Sequence, residues 1–431
     1  MKLIAGLVLC CCLVGHALAL NNELESHPSP YLALHGDDPV AWQEWGPEAF
    51  AAAQRENKLV YVSVGYFSCH WCHVMQDESY QHPDIAKILN RHFIPVKVDR
   101  ELQPALDEAL MAFVQSTQGR GGWPLNVFLT PEGYPLYAVL YVPPESFAEV
   151  IGKIHALWRE DPQRIAAVAR QHGPNGFADK SADLDAAEVL ALGKVFEEMT
   201  LGLADTFEGG FGNQSRFPHV PQLDYLLHRY GRAPNAQIRE VLETTLDAMA
   251  QRGLHDHVGS GFFRYTVDPG WSVPHFEKML YDNAQLAKLF LNAGRVLGRA
   301  DYSAVGFATL DFMLTAMQGE NGAMIASLSA IDTLGREGAY YLFDDDVLAQ
   351  ALTPDEERVL RTVWSLPDAA AFDYGHLLIN QAPLELAAMQ LGSGPDELER
   401  TLASAMDKLK EMRRERSLPV DNKLLAGWNA L

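Results

Sequence analysis

Cys69 and Cys72 follow directly on LVYVSVG, residues 59–65, a β-branched run bounded by turn residues that reads as a buried strand. The mix of polar and apolar residues from 72 to 80 suits a helix, so the cysteine pair falls where a strand ends and a helix begins. No other feature limits the fold as tightly. A helix N-terminus offers unpaired N–H groups and the positive end of the macrodipole, and both favour a thiolate at Cys69. A two-residue gap lets the second thiol close a disulfide within one helical turn. His70, between them, adds positive charge when protonated and moves the pair towards oxidant. The competing reading is metal binding by Cys69, His70, Cys72 and His73. One Cys-x-x-Cys without a second pair or a distant His pair is weak ground for zinc.

The surrounding elements form one compact α/β domain. A helix at 48–56 (EAFAAAQRE) starts behind Pro47, and a second at 83–92 opens with Pro83. FIPVKVD at 93–99 is another strand. Leu106, Ala109, Leu110 and Phe113 give 102–117 helical spacing. Strands at 124–129 and 134–142 flank the turn Pro131-Glu132-Gly133, and a helix at 147–158 closes the set. Gly121-Gly122-Trp123-Pro124 heads the third strand, about 55 residues after the cysteines. Thioredoxin folds place a cis-proline there, facing the disulfide, where its backbone binds the substrate chain. Trp123-Pro124 is therefore expected to be cis, with Pro124 joining Cys69 and Cys72 in the catalytic set. An ordinary trans-proline opening a strand is the alternative.

Residues 173–185 are polar and read as a linker, dividing the α/β domain (20–172) from a helical one (186–431). Helices are expected at 186–203, 221–230, 236–252, 276–297, 302–317, 383–391 and 395–414, with Gly-rich loops between them. The clearest strand signal there is 339–343. This is the pattern of an all-helical domain of αα-hairpins. The stretch 422–431 (NKLLAGWNAL) begins a further helix, and ending within it reads as a fragment or an incomplete gene model.

Met1-Lys2, an apolar run of 13 residues from Leu3 to Gly15, and Ala17-Leu18-Ala19 give the order of a secretory signal peptide cut after Ala19. The run is too short to cross ~30 Å of hydrocarbon. A lipoprotein signal at Cys10 to Cys12 is the alternative, but Val8 and Leu9 stand where a small residue is wanted. Cleavage would export the protein to the periplasm or beyond, with no membrane association afterwards. It would leave only Cys69 and Cys72, which is no disulfide framework and points to redox work on protein thiols and disulfides. With 56 acidic against 34 basic residues, the chain is poorly suited to nucleic acid or anionic membrane. No cofactor and no metal is called for.

Several long motifs stand in order along the chain. They include Ser29-Pro30-Tyr31-Leu32, Ser68-Cys69-His70-Trp71-Cys72-His73-Val74-Met75, Val96-Lys97-Val98-Asp99-Arg100-Glu101 and Gly121-Gly122-Trp123-Pro124. Further on come Gly209-Gly210-Phe211-Gly212, His255-Asp256-His257, Arg264-Tyr265, Trp271 and Val273-Pro274-His275-Phe276-Glu277-Lys278-Met279-Leu280-Tyr281-Asp282-Asn283. Together they closely resemble the spermatogenesis-associated protein 20 family over nearly the whole chain after the leader. The resemblance implies a thioredoxin-like domain followed by a six-hairpin (α/α) barrel like those of glycoside-processing enzymes and sugar epimerases. A full barrel has twelve helices, so the one expected here is incomplete. Two departures stand out: Ser327-Leu328-Ser329-Ala330-Ile331-Asp332 replaces a Glu-Asp-Ala-Asp-like stretch, and Asp421-Asn422-Lys423 stands where two acids usually precede Lys.

Sugar chemistry in such a barrel needs paired carboxylates or a His base. Asp256, Glu277 and Asp282 supply acids, His257, His275 and Arg264 the other side, and Trp271 a stacking face. Asn283 falls on the apolar stripe of the 276–297 helix and needs a polar partner. The bland reading makes Asn283 and His275 satisfied core or capping groups. These residues, with His70, Trp71 and Trp123, are the candidates for substrate binding. Three functions follow. An exported thiol–disulfide oxidoreductase leads. A carbohydrate-active or epimerase-like enzyme with a regulatory thioredoxin domain comes second, and a non-catalytic interaction protein third.

Overall fold

A computed structural model of the chain describes residues 20–171, 185–379 and 382–431. The expected leader, and all of the expected linker except Asp185, lie outside the described residues. The chain divides into two compact units. One comprises Met1–Pro28, Leu32–Val64 and Met75–Pro174; the other comprises Ser29–Tyr31, Gly65–Val74 and Asn175–Leu431. The segment that carries the cysteines thus groups with the second unit.

The first unit is built on a four-stranded sheet of β1 (Leu59–Gly65), β2 (Phe93–Asp99), β3 (Leu125–Leu129) and β4 (Pro135–Val139), in the order β2-β1-β3-β4. β1 and β3 run antiparallel with Val62 opposite Val127, and β3 and β4 pair with Val127 opposite Ala138. Every residue of β1, β2 and β3 is buried, which explains why these strands read as near-continuous apolar runs rather than alternating ones. One face packs Val60, Val62, Val64, Ile94, Val96, Val98 and Val127 against the helices Pro47–Glu56 and Pro104–Gln118. The other face holds buried polar groups. Tyr61 and Tyr80 hydroxyls donate to Asn126 Oδ1 at 2.7 and 2.9 Å, and Lys97 Nζ donates to Ser63 Oγ at 3.0 Å beneath the Tyr80 ring. Burial, opposed by the nearby Asp38 charge, pulls Lys97 down to about 7.

The helix after the cysteines begins at His70, not at 72, and passes at Gln76–Tyr80 into a π-helical turn. Asp38 organises that turn: it accepts from Gln76 at 2.9 Å, Gln81 at 2.6 Å and Trp42 at 2.8 Å, and faces His35 at 2.8 Å. Burial works against the Asp38 charge, yet His35, Gln76 and Trp42 together hold its carboxyl below the usual range. β4 ends at Val139 rather than 142. The last helix runs over Pro144–Glu160 and is followed by Pro162–Gln171, which the sequence reading missed.

In the second unit the helices are Ala186–Leu203, Val220–Arg232, Ala236–Gln251, Leu280–Leu297, Ala300–Phe312, Asp345–Ala351, Pro354–Val363, Leu384–Leu391, Pro395–Arg414 and Ala426–Asn429. Its largest core joins Leu223, Leu226, Val241, Leu246, Leu286 and Phe290 around the buried Trp271. The fold is an α/β domain of the thioredoxin-like kind followed by a mostly helical domain. No described helix is long and apolar enough to cross a membrane.

The helical domain departs from the expectation in four respects. It is not all-α: β5 (Lys278–Met279), β6 (Ser327–Leu328) and β7 (Val420–Asp421) form a small antiparallel sheet. Lys278 and Met279 pair with that sheet, so the helix expected from 276 starts only at Leu280. The expected strand at 339–343 is a turn. Its carbonyls at Ala339, Tyr340 and Leu342 go to Arg416 Nη1 at 3.0, 3.1 and 2.6 Å instead of to a neighbouring strand. The helices Asp345–Ala351 and Pro354–Val363 were not foreseen, although Thr353 and Glu356 form a reciprocal cap at the start of the second.

Candidate redox site and the polar cluster beside it

β1 delivers Gly65 to the start of the redox segment. A Cβ there would stand 2.2 Å from Tyr31 Oη and 2.8 Å from Cys72 Sγ, so only glycine fits. Cys69 and Cys72 form a disulfide with Cα atoms 5.3 Å apart. The Cys72 amide donates to Cys69 Sγ at 3.2 Å, and the His73 amide to the Cys69 carbonyl at 3.3 Å, so Cys69 opens the helix His70–Met75. Cys69 is 4% exposed and Cys72 1%, whereas Trp71 between them is open to solvent. His73 turns its Nε2–H to the Phe67 carbonyl at 2.7 Å. That hydrogen bond engages a nitrogen the metal reading would need.

A polar cluster within the second unit surrounds His70. Its Nε2 lies 3.5 Å from Glu337, whose other oxygen lies 3.6 Å from His275 Nε2. The two imidazole rings are 5.9 Å apart, and Tyr265 stacks on His275 at 5.0 Å. His275 Nδ1 is 3.8 Å from Glu277, which is fully buried. Glu277 Oε1 accepts from the Tyr66 hydroxyl and from Arg264 Nη1, both at 3.1 Å; among the described residues its Oε2 takes no hydrogen bond. Arg264 also donates to the Tyr66 hydroxyl and, at 3.0 Å, to that of Tyr281. Burial opposes the Arg264 charge, but Tyr66, Tyr281, Glu277 and Asp282 keep the guanidinium protonated. For His70, burial lowers the pKa, Glu337 counters it, and His275 adds to the lowering. An imidazole whose pKa burial lowers, with a carboxylate from a distant loop opposing that fall, therefore sits next to Cys69 in sequence.

Of the residues singled out in the sequence, Cys69, His70, Cys72, Arg264, His275 and Glu277 come together here, and Asp282 bears electrostatically on Arg264. Trp71 lies between the cysteines, its ring 5.5 Å from that of His70. Asp256 accepts from Lys278 Nζ at 2.7 Å and Arg413 Nη1 at 2.7 Å, and from the Val258 and Gly259 amides at 3.1 Å. Burial resists its ionisation, but Arg413 and then Lys278 hold it far below the carboxylate range, and burial draws Lys278 down to about 8. Such a carboxylate is a structural anchor rather than a proton shuttle. Burial also lowers His257 to about 4; its Nε2–H reaches the Arg252 carbonyl at 3.1 Å. Trp271, expected as a stacking face, is fully buried and donates to the Glu208 and Gly209 carbonyls at 3.1 and 3.2 Å. It leaves no face for a sugar. Asn283 accepts from the Phe262 amide at 2.7 Å and donates to the Phe262 and Met279 carbonyls at 3.1 and 2.9 Å. Those bonds make it the satisfied core group of the bland reading.

In the first unit, the Trp123-Pro124 bond is cis, and Trp123 Nε1 donates to Asp107 at 2.7 Å with Arg100 stacked 4.0 Å above its ring. The sequence reading missed Glu337 and Tyr66. Tyr66 follows the strand directly and could have been flagged by its nearness to the pair. Glu337 stands in an irregular stretch before Gly338, where no periodicity marks it.

A family model, Thioredox_DsbH, described as a protein of unknown function (DUF255), matches residues 21–173. Spermatogenesis-associated protein 20 of Homo sapiens is 34% identical over 453 residues, covering 95% of this chain and 57% of the human protein. The chain therefore spans little more than half the length of that relative. Among solved structures, a DsbH oxidoreductase is similar at 19% identity and a TM-score of 0.23, covering 27% of this chain and 85% of that one. The cellobiose 2-epimerase of Spirochaeta thermophila is similar at 15% identity and a TM-score of 0.30, covering 34% of this chain and 42% of that one.

Proposed function

This chain belongs to the spermatogenesis-associated protein 20 family, and from that premise we propose that it is an exported thiol–disulfide oxidoreductase working through Cys69 and Cys72. The reading rests on one observation: a near-buried disulfide at the head of a helix, with the Cys72 amide aimed at Cys69 Sγ. In the reducing direction the Cys69 thiolate attacks a substrate disulfide, forming a mixed disulfide and releasing one substrate thiolate. Cys72 then attacks Cys69 Sγ, releasing the second thiolate and restoring the internal disulfide. Two electrons pass to the substrate; the reverse sequence oxidises a substrate dithiol. The Cys72 amide favours the thiolate on Cys69, which makes it the sulfur that leaves and attacks. The helical domain is the proposed holder of the substrate or partner protein, and residues 1–19 the proposed cleaved leader.

The test is the reduction potential in defined glutathione buffers, read by thiol alkylation and gel shift. A value above about −200 mV assigns disulfide donation, and one below about −270 mV assigns reduction fed by an electron source. Cys72→Ser should trap substrates on Cys69 as mixed disulfides, and Cys69→Ser should trap none. Absence of a reversible couple refutes the reading. For the leader, the mature N-terminus should be Leu20.

A further inference from the structure

A second feature of the helical domain has no part in the redox reading. A cavity of about 690 Å³ lies among Asp256, Lys278, Phe312, Tyr341, Arg413 and Arg416. We propose that it binds a small molecule bearing a phosphate or a carboxylate.

The first argument is charge. The whole chain carries a formal net charge of −22, yet five cations line this cavity, Lys278, Lys410, Arg413, Arg414 and Arg416. Only two carboxylates, Asp256 and Asp311, stand against them. Asp256 is already bound between Lys278 and Arg413. Lys410 is 3.8 Å from Asp407 and Arg414 3.0 Å from Glu411; both are solvent-exposed pairs of little strength. Arg416 Nη1 donates to the backbone carbonyls of Ala339, Tyr340 and Leu342, which carry no countercharge. A low-dielectric cleft with a cationic excess focuses field and draws anions out of solution, all the more so in a chain that repels them elsewhere.

The second argument is unmet hydrogen bonding. The Tyr341 hydroxyl and Arg413 Nε have no hydrogen-bond partner among the described residues, and the two side chains are 2% and 5% exposed. A buried donor left without an acceptor is costly and calls for a reason. Both residues line the cavity. Burial and the neighbouring Asp256 charge keep the Tyr341 phenol protonated, and so able to donate. Anionic oxygens only accept, so phosphate or carboxylate is the chemistry these donors fit. Phe312, Leu328, Tyr340 and Leu418 give the remaining wall an apolar surface for a carbon body.

The test is calorimetry on the full chain at fixed ionic strength, with inorganic phosphate, glucose 6-phosphate, glucuronate and glucose as probes. Tyr341→Phe deletes a hydroxyl that holds nothing in the free protein, so the fold should keep its melting temperature. Lys410→Gln removes an exposed charge at the rim. The proposal expects saturable binding of at least one anionic probe, at least about tenfold tighter than glucose, weakened about tenfold by Tyr341→Phe through loss of one hydrogen bond to a charged group. Lys410→Gln should weaken it by a smaller factor. Binding of the two phosphates but not glucuronate assigns a phosphorylated ligand, and the converse a carboxylate. Glucose binding as well as the anions, no saturable binding of any anion, or affinity unchanged in both variants overturns the proposal. Cys69→Ser should bind the probes as the parent does, so the two readings fail separately.

Discussion

Replacing Glu337 with Gln removes the carboxylate closest to the His70 imidazole, and the structure sets the size of the effect. The charges are 3.5 Å apart, which corresponds to ~1.2 kcal/mol at the dielectric of water and ~4.7 kcal/mol at an effective value of ~20. The His70 side chain is 20% exposed and that of Glu337 32%, so water screens the pair substantially and the lower end applies. A loss of ~1–2 kcal/mol corresponds to a fall of about one pKa unit. Burial and His275 already lower His70, and Glu337 is the first of the groups opposing them, so E337Q should move its titration further down, never up. The assay is the pH titration of histidine ring C–H resonances in carbon-13-labelled protein, with His70 assigned by its absence in His70→Gln. A midpoint that stays within about 0.3 units of the parent, or rises, refutes the reasoning, since a carboxylate at this distance must act on the ring through Coulomb's law.

Asn283→Ala should destabilise the helical domain by ~2–4 kcal/mol, because it strands the Phe262 amide and carbonyl in the core; a urea midpoint equal to the parent's would contradict this. Asp256→Asn leaves Lys278 and Arg413 buried without their anion and should cost ~3–5 kcal/mol in the same measurement. For Lys97 the sign follows from linkage. Its pKa is about 7 in the folded state and ~10.4 when unfolded, so between these values the unfolded chain binds more protons, and stability rises with pH. Lys97→Met should remove that rise, of up to ~1.4 kcal/mol per pH unit, and be most stabilising below pH ~7. Parallel pH profiles for parent and variant would exclude the account.

The first domain was largely legible. Val60, Val62, Val64, Ile94, Val96 and Val98 alternate with residues that are themselves buried, and the Pro residues at 47 and 83 mark helix starts that the structure keeps, while the helix expected from 102 begins at Pro104. Helical positions 186–203 and 395–414 were equally readable from periodicity and turn signals. What failed depended on distant partners. Phe276 to Met279 carries a helix-like pattern, but pairing of Lys278 with Leu328 outweighs local preference. Residues 339–343 have strand composition, but Arg416, some seventy residues on, collects the carbonyls of Ala339, Tyr340 and Leu342. The candidate site divides the same way. The cysteine pair follows from local chemistry. Trp271 looked like a binding aromatic because burial cannot be read from an isolated ring, and Glu337 had no local signature at all.

The grouping of Gly65–Val74 with the helical domain bears on how this protein is dissected and how its chemistry is inherited. Excising 21–173, the stretch matched by the family model, would keep both cysteines and strand–helix geometry. It would leave behind Glu337, His275 and Glu277, whose charges act on His70 alongside its burial. Tyr66 and Glu277, hydrogen-bonded to each other, are 211 positions apart in the gene. A transplanted N-terminal module would therefore carry the motif without the charges that act on His70 in the full chain.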